Sequence, residues 1–174
     1  MTQHAGREPV LVSACLLGEA VRFDGGDMRS DHAILQRWLK EGRVESVCPE
    51  VAGGLPVPRP RAEIASGAGG AKVLAGAARA IDSNGRDVSA YLVGGAERAL
   101  AKARERRIRV AVLKEGSPSC GSGFIFDGSF SNAKVDGMGV TAALLAQNGV
   151  RVFSEHQLVE ADALLQRLES GNAA

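Results

Sequence analysis

The sequence has few cysteines, few aromatic residues and almost no net charge. Of its 174 residues, three are Cys, one is Trp and one is Tyr. Lys and Arg together number 21 and Asp and Glu number 20, which gives a formal net charge of +1. Proteins built chiefly to hold a nucleic-acid backbone usually carry a basic excess. A nucleic-acid partner is therefore possible through a small local patch, but the overall charge does not favour it.

The sequence also lacks the features of a membrane span, a signal peptide and a disulfide framework. No apolar run approaches the roughly 20 residues of a membrane helix. Residues 12–15 are similar to a lipoprotein processing box, but residues 1–9 hold no apolar stretch of the about 7–15 residues that a signal peptide needs. An odd number of cysteines without paired short spacing is a poor basis for disulfides. We therefore expect a cytoplasmic protein with no membrane partner.

Short apolar runs alternate with amphipathic helical patterns along the chain. Strands are expected at residues 10–14, 44–47, 108–113 and 150–153. Helices are expected after Ser30 and after Asp87 as N-caps, at residues 140–147, and after the capping-box pair Ser154 and Gln157. We predict a single-domain Rossmann-like three-layer α/β sandwich with a mainly parallel sheet, formed by residues 9–170 after a flexible segment 1–8.

Other segments have weaker patterns. Residues 51–70 contain prolines among glycines, and we predict a long loop without a regular element there. Residues 72–81 are predicted to form a short strand pair or an irregular segment, and residues 124–130 a small hairpin. The basic run 104–109 is interpreted as the solvated end of a helix rather than as an RNA-binding patch.

Each of the three cysteines lies at or just beyond the end of a predicted strand. Cys15 and Cys48 directly follow the first two strands, and Cys120 follows the third after a short turn. Ligands bind where the carboxyl ends of parallel strands line one edge of an α/β sheet, so we expect the thiols to converge. Three thiolates with a fourth position open suit a soft metal or an iron–sulfur cluster. A structural metal site closed by a fourth protein ligand and buried inert cysteines are the other interpretations.

Four long motifs contain or follow these cysteines. They are VSACLLG at 12–18, VCPEVAGGLP at 47–56, KEGSPSCG at 114–121 and GVTAALL at 139–145. Together they resemble the thiouracil desulfidase family, formerly a domain of unknown function, over about residues 9 to 160. The resemblance implies a [4Fe-4S] cluster held by Cys15, Cys48 and Cys120, whose remaining iron takes the sulfur of a thiolated pyrimidine. The implied activity is non-redox desulfuration of a 2-thiouracil-like compound to its oxo form, with release of sulfide.

Desulfuration requires a thiophilic Lewis acid for the departing sulfide and an activated water that attacks the carbon. Glu50, two residues after Cys48, is the candidate general base, and a cap or ion-pair partner is its other possible role. Ser117 and Ser119 precede Cys120 and either bind the cluster or the pyrimidine, or only shape the turn. Lys114 is expected to pair with its neighbours or to line the pocket.

The expected partner is a small thiopyrimidine, as the free base or nucleoside. In some members of the family that this sequence resembles, the domain is fused to a second module and is associated with thiolated tRNA as substrate. This sequence shows no second module. One alternative is a desulfidase that acts on thiolated tRNA, which would need a basic groove around Arg22, Arg59 and Arg61. Another is a non-catalytic metal or iron–sulfur binding module. No oligomeric state follows from the sequence.

Overall fold

Residues 6–171, which the computed structural model describes, form eight strands and six α-helices. The strands are β1 Val10–Ser13, β2 Val44–Val47, β3 Ala62–Ile64, β4 Ala80–Asp82, β5 Val110–Leu113, β6 Phe124–Phe126, β7 Lys134–Asp136 and β8 Arg151–Ser154. The helices are α1 Ala33–Lys40, α2 Pro49–Ala52, α3 Gly70–Leu74, α4 Ser89–Glu105, α5 Val140–Gln147 and α6 Leu158–Glu169. The four predicted strands and the four predicted helices are all present, with ends shifted by no more than three residues.

Four strands form a parallel sheet in the order β2-β1-β5-β8. The two inner strands, β1 and β5, are buried along their whole length. Strands covered on both faces are typically continuous runs of aliphatic residues, as these two strands are. The predicted fold class is therefore confirmed.

Helices cover both faces of the sheet. Successive residues of a strand point to opposite faces, so each inner strand contributes residues to two apolar clusters. Val10, Val12 and Val112 pack in one apolar cluster with residues of α1 and α6. Leu11 and Ala111 pack in a second cluster with residues of α4 and α5. The sheet is thus the middle of three layers, and its strand ends are left open to the loops.

The single tryptophan joins the two helices of one outer layer. Trp38 of α1 is fully buried and donates from Nε1 to the Asp162 carboxylate of α6 at 2.9 Å. Arg37 and Gln166 also donate to this carboxylate. Burial alone would raise the pKa of Asp162, but these hydrogen bonds outweigh it and lower the pKa below its usual value.

Three predicted helix caps differ from those observed. Gln157 and not Ser154 occupies the N-cap position of α6, although the Gln157 side chain accepts from the Ser154 N–H at 3.0 Å, as in a capping box. His32 caps α1, because its Nδ1 accepts from the Ile34 N–H at 3.1 Å. Ser30 lies in the turn before it, where its hydroxyl accepts from the His32 N–H, so the prediction of a Ser30 cap was wrong. Asp87 accepts from the Ser89 N–H at 2.9 Å and thus supports the first residue of α4, although Val88 occupies the N-cap position.

The prediction that residues 51–70 form no regular element was also wrong, because β3 lies within them and pairs antiparallel with β4. All the prolines of this segment precede Ala62, so β3 has every N–H that the pairing requires. Residues 72–81 hold the end of α3 and the start of β4 instead of a strand pair.

A second antiparallel pair, β6 and β7, forms a ribbon joined by residues 127–133. This loop is longer than the predicted turn and is held in place from β3. The carboxylate of Glu63, itself buried, accepts from the N–H groups of Gly128 at 3.0 Å and Phe130 at 3.2 Å. The ribbon is therefore fixed to the β3–β4 pair.

Among the described residues, no helix is both long and apolar enough to span a membrane. The predicted flexible segment 1–8 falls mostly on residues 1–5, which lie outside the described residues. Glu8 is described, and its carboxylate pairs with Arg109. Its N–H donates to Glu169 at 3.0 Å.

Candidate functional site

The three cysteines line one cavity of about 330 Å³ at the carboxyl edge of the parallel sheet. Cys15 lies in the 3₁₀ turn that follows β1, Cys48 lies between β2 and α2, and Cys120 lies in the loop after β5. All three are free thiols. β2, β1 and β5 are adjacent in the sheet, so their following turns meet at this edge.

Burial keeps the thiols neutral in the absence of a bound group. It raises the pKa of Cys15 to about 11, and the neighbouring Cys48 adds to this effect. Burial also raises the pKa of Cys48, although the N–H groups of Val51 and Glu50 favour its thiolate. The pKa of Cys120 lies well above its usual value for the same reason, with a smaller opposing contribution from the Ser13 hydroxyl. A thiolate at any one of the three positions would raise the pKa of the other two thiols by charge repulsion. A positively charged metal centre bound between them would lower these pKa values instead.

Glu50 lines the same cavity and belongs to the first turn of α2. Its Oε2 accepts from Arg59 Nη2 at 2.8 Å, and the Arg59 side chain is only 3% exposed. Arg59 also donates to the backbone oxygens of Val21 at 3.0 Å and Pro56 at 3.2 Å. Glu50 is thus both a cavity carboxylate and an ion-pair partner, and its role as general base stays a prediction.

The two serines before Cys120 have different surroundings. Ser117 lines the cavity, and its Oγ accepts from the N–H groups of Ser119 at 3.0 Å and Cys120 at 3.1 Å. Ser119 is fully buried and is not among the cavity-lining residues. Within residues 6–171, its hydroxyl has no hydrogen-bond partner, and neither has that of Thr141.

Lys114 lines the cavity at the end of β5 and is held by a residue that sequence reasoning missed. Its Nζ donates to Glu155 Oε1 at 2.8 Å and to the Glu115 carbonyl at 3.1 Å. Glu155 Oε2 accepts from the Glu115 N–H at 2.8 Å. Glu155 directly follows β8, and this position at the end of a predicted parallel strand is the signal that could have found it.

Glu115 and Asp24 have structural roles in this arrangement. The Glu115 carboxylate accepts from the backbone N–H groups of Ser122 at 2.8 Å and Gly123 at 3.0 Å, which orders the approach to β6. Asp24 accepts from the Gly26 N–H at 2.9 Å and is not among the cavity-lining residues. Asp24 therefore stabilises its loop as an Asx turn.

The cavity wall is rich in cations and also contains aromatic rings. Its charged lining residues are five cations and two carboxylates, namely Arg22, Arg59, Arg61, Lys114, Lys134, Glu50 and Glu115. Arg61 lies over the Phe126 ring at 4.5 Å and Lys134 over the Phe124 ring at 4.5 Å. Sequence reasoning missed both phenylalanines and Lys134, because the β6–β7 ribbon reaches the site only through tertiary packing.

Comparisons with known proteins agree with this geometry. The model of the 2-thiouracil desulfurase family matches residues 10–157. The Bacillus subtilis (strain 168) protein YbbK, described as uncharacterized, is 44% identical over 149 residues, which cover 86% of this chain and 97% of YbbK. A solved structure described as [4Fe-4S]-dependent thiouracil desulfidase TudS is 45% identical, with a TM-score of 0.83 over 92% of this chain and 99% of that one.

Proposed function

We propose, since this chain belongs to the 2-thiouracil desulfurase family, that it is a [4Fe-4S]-dependent enzyme that replaces the sulfur of a thiolated pyrimidine with oxygen. The observation that carries this proposal is the set of three free thiols on one cavity, with a carboxylate on the same wall. Thiouracil is the expected substrate, because both the family and its solved member are described by it.

The donor set suits an iron–sulfur cluster better than a single metal ion. Thiolates are the ligands that such clusters take from proteins, and Cys15, Cys48 and Cys120 would supply three of them. Within residues 6–171, no three Cys, His, Asp or Glu side chains are grouped closely enough to hold one metal ion. This finding argues against the alternative of a closed structural zinc site, which needs four ligands around one ion.

The bound cluster would supply a thiophilic Lewis acid that polarises the C–S bond and accepts sulfur at an iron without a protein ligand. The chain's own contribution to the hydrolysis is to position and deprotonate water. Glu50 accepts a proton as the water oxygen bonds to the thiocarbonyl carbon. The C–S bond then breaks with its electron pair on sulfur, and the hydroxyl of the adduct loses its proton as the C=O bond forms. This proton and the one held by Glu50 pass to the sulfide or to solvent, so that the products are the oxo pyrimidine and hydrogen sulfide. No electron enters or leaves, so no external reductant is required.

Arg59 and Ser117 support these steps from the cavity wall. The buried Arg59 guanidinium holds the Glu50 carboxylate in one orientation through the hydrogen bond at 2.8 Å. Ser117 orders the Cys120 turn through two backbone N–H groups, and its own hydroxyl proton can be donated toward sulfur or the pyrimidine. Ser119, which is buried away from the cavity lining, is assigned to the turn and not to catalysis.

Anaerobic reconstitution tests this proposal directly. We expect about four irons and four sulfides per chain, conversion of 2-thiouracil to uracil, and release of one sulfide for each uracil formed. Replacing Cys15, Cys48 or Cys120 by Ala should greatly reduce the iron content. Met28→Ala is the matched control, because this thioether also lines the cavity and is not a proposed ligand. Full cluster content and activity in two of the three Cys variants would refute the three-thiolate assignment.

Thiolated tRNA is the second candidate substrate, and the cation-rich cavity wall is the observation that favours it. Arg22, Arg59 and Arg61, which the sequence indicated as a possible basic groove, do line the same cavity. However, Arg59 is buried and paired with Glu50, and Arg61 is paired with the buried Glu63, so within residues 6–171 Arg22 alone of this set has no carboxylate partner. The free base or nucleoside is therefore the preferred substrate.

A further inference from the structure

Lys114 keeps one hydrogen-bond donor available at the proposed catalytic cavity. An ammonium group has three N–H donors, and the structure shows acceptors for two of them, Glu155 Oε1 at 2.8 Å and the Glu115 carbonyl at 3.1 Å. No third acceptor is present within residues 6–171. Lys114 lines the cavity together with the three cysteines, so an acceptor atom on a bound substrate can take the third hydrogen bond of the ammonium group.

The position of this ammonium group is fixed by Glu155. One oxygen of the Glu155 carboxylate binds Nζ, and the other binds the Glu115 N–H at 2.8 Å. The side chains of Lys114 and Glu155 are only 22% and 13% exposed, which limits competition by water. A donor that is held in this way at the end of a central strand is suited to bind one acceptor atom of a ligand at a fixed position.

Three of the four other cations of the cavity have their charged groups engaged. The terminal nitrogens of Arg59 donate hydrogen bonds to Glu50 and to two backbone carbonyls. Arg61 is stacked on Phe126 and paired with a buried carboxylate, and Lys134 lies over Phe124. The fourth, Arg22, lies 5.6 Å from the centre of the Phe23 ring and has no carboxylate partner within residues 6–171 that would hold it. Lys114 combines an available donor with a fixed position, which suits it to a directed hydrogen bond with a small heterocycle.

We infer that Lys114 donates a hydrogen bond to the exocyclic oxygen of thiouracil, which one ring nitrogen separates from the thiocarbonyl group, an inference that rests on the proposed function. A cation at this oxygen withdraws electron density from the ring and makes the thiocarbonyl carbon more electrophilic. The same contact stabilises the negative charge that the ring gains when water adds. Lys114 is thus a specificity-determining and catalytic residue that selects thiopyrimidines with a carbonyl oxygen.

Two substrates that differ in this oxygen test the inference. The value of kcat/KM is measured for 2-thiouracil and for 2-thiopyrimidine, which lacks the exocyclic oxygen. The enzymes are the reconstituted wild type, Lys114→Gln, Lys114→Met and the control Lys40→Gln, an exposed lysine of α1. The intrinsic reactivities of the two substrates cancel when the preference for 2-thiouracil is compared between enzymes.

We expect both Lys114 variants to lose about 10- to 100-fold of the preference for 2-thiouracil, the size of a hydrogen bond to a charged group. Lys40→Gln should keep the wild-type preference. Iron content and visible absorption are recorded before substrate is added. Titration of that absorption with 2-thiouracil should show weaker binding in the Lys114 variants.

A wild-type preference in either loaded variant would overturn the inference. Loss of the cluster from both variants would also overturn it, because Lys114 would then act on cluster retention. Equal slowing of both substrates would show a role in shaping the loop only. If the wild type converts neither substrate, the proposed function itself fails, and that result is distinct from the others.

Discussion

Glu50 illustrates what chain adjacency can and cannot reveal about a site. Its position two residues after Cys48 brings it to the cavity, and the sequence alone indicated this. Its partner Arg59 lies nine residues further along, beyond a turn that contains Pro56 and Pro58. No local pattern predicts that this arginine folds back and becomes buried, because its path depends on backbone acceptors such as Val21.

Replacing Glu50 by Gln separates proton transfer from cluster binding. Gln has nearly the same volume and can still bind Arg59, but it cannot accept the proton from water. We expect a normal cluster spectrum and normal thiouracil binding, with kcat lower by roughly 10²–10⁴, the usual contribution of general acid–base catalysis. Single-turnover kinetics with Glu19→Gln, an exposed carboxylate variant, as control measures this effect.

Two results would contradict the assignment of Glu50 as the base. Loss of the cluster in Glu50→Gln would make Glu50 a support for the Cys48 turn. A wild-type rate would place the base elsewhere, and Glu115 would be the next carboxylate to test, because it also lines the cavity.

At the scale of secondary structure, periodicity predicted the elements that are long or buried on both faces. The four parallel strands and their helices follow from apolar patterns within each segment. The three-residue strands β3, β4 and β7 do not, because they are stable only when paired with their partners. Phe124 and Lys134 belong to the paired strands β6 and β7 and line the cavity, and no local sequence pattern indicated that they would do so.

The contact between α1 and α6 gives a prediction about stability. In Asp162→Ala the buried Trp38 Nε1 loses its acceptor, and we expect the free energy of unfolding to fall by about 1–3 kcal/mol. Glu160→Ala, an exposed acidic position on the same helix, should have little effect. Urea unfolding followed by the fluorescence of Trp38 measures both variants. An unchanged midpoint in Asp162→Ala would show that this contact does not stabilise the packing of the two helices.

The same contact should depend on pH in a defined direction. The pKa of Asp162 is lower in the folded protein than its usual value, so its contribution is present above the unfolded pKa of about 3.9 and is lost as the pH falls through the folded pKa. The stability difference between wild type and Asp162→Ala should therefore be constant from pH 7 to about pH 5. It should shrink below about pH 4 in the apoprotein.

At the scale of the whole molecule, the net charge of the protein bears on the choice between a free thiopyrimidine and thiolated tRNA as substrate. The formal net charge is +1, which provides little general attraction for a polyanion. We expect turnover of free 2-thiouracil that changes little between about 50 and 200 mM salt, a range over which binding to many phosphates weakens by orders of magnitude. Assays of the free base and of thiolated tRNA across this range measure the dependence. Activity on thiolated tRNA alone would replace the free base as the preferred substrate.

The strand order of the sheet also determines when the cavity can be completed during synthesis of the chain. β1 lies between β2 and β5, so the turn that carries Cys120 reaches its place only after β5 has docked beside a strand synthesised about a hundred residues earlier. Until then a growing chain presents only the thiols of Cys15 and Cys48. Glu155, which holds Lys114, is made later still. We therefore expect metal to bind at the proposed three-thiolate site only late in synthesis, and a chain released before Cys120 would be unable to form that site.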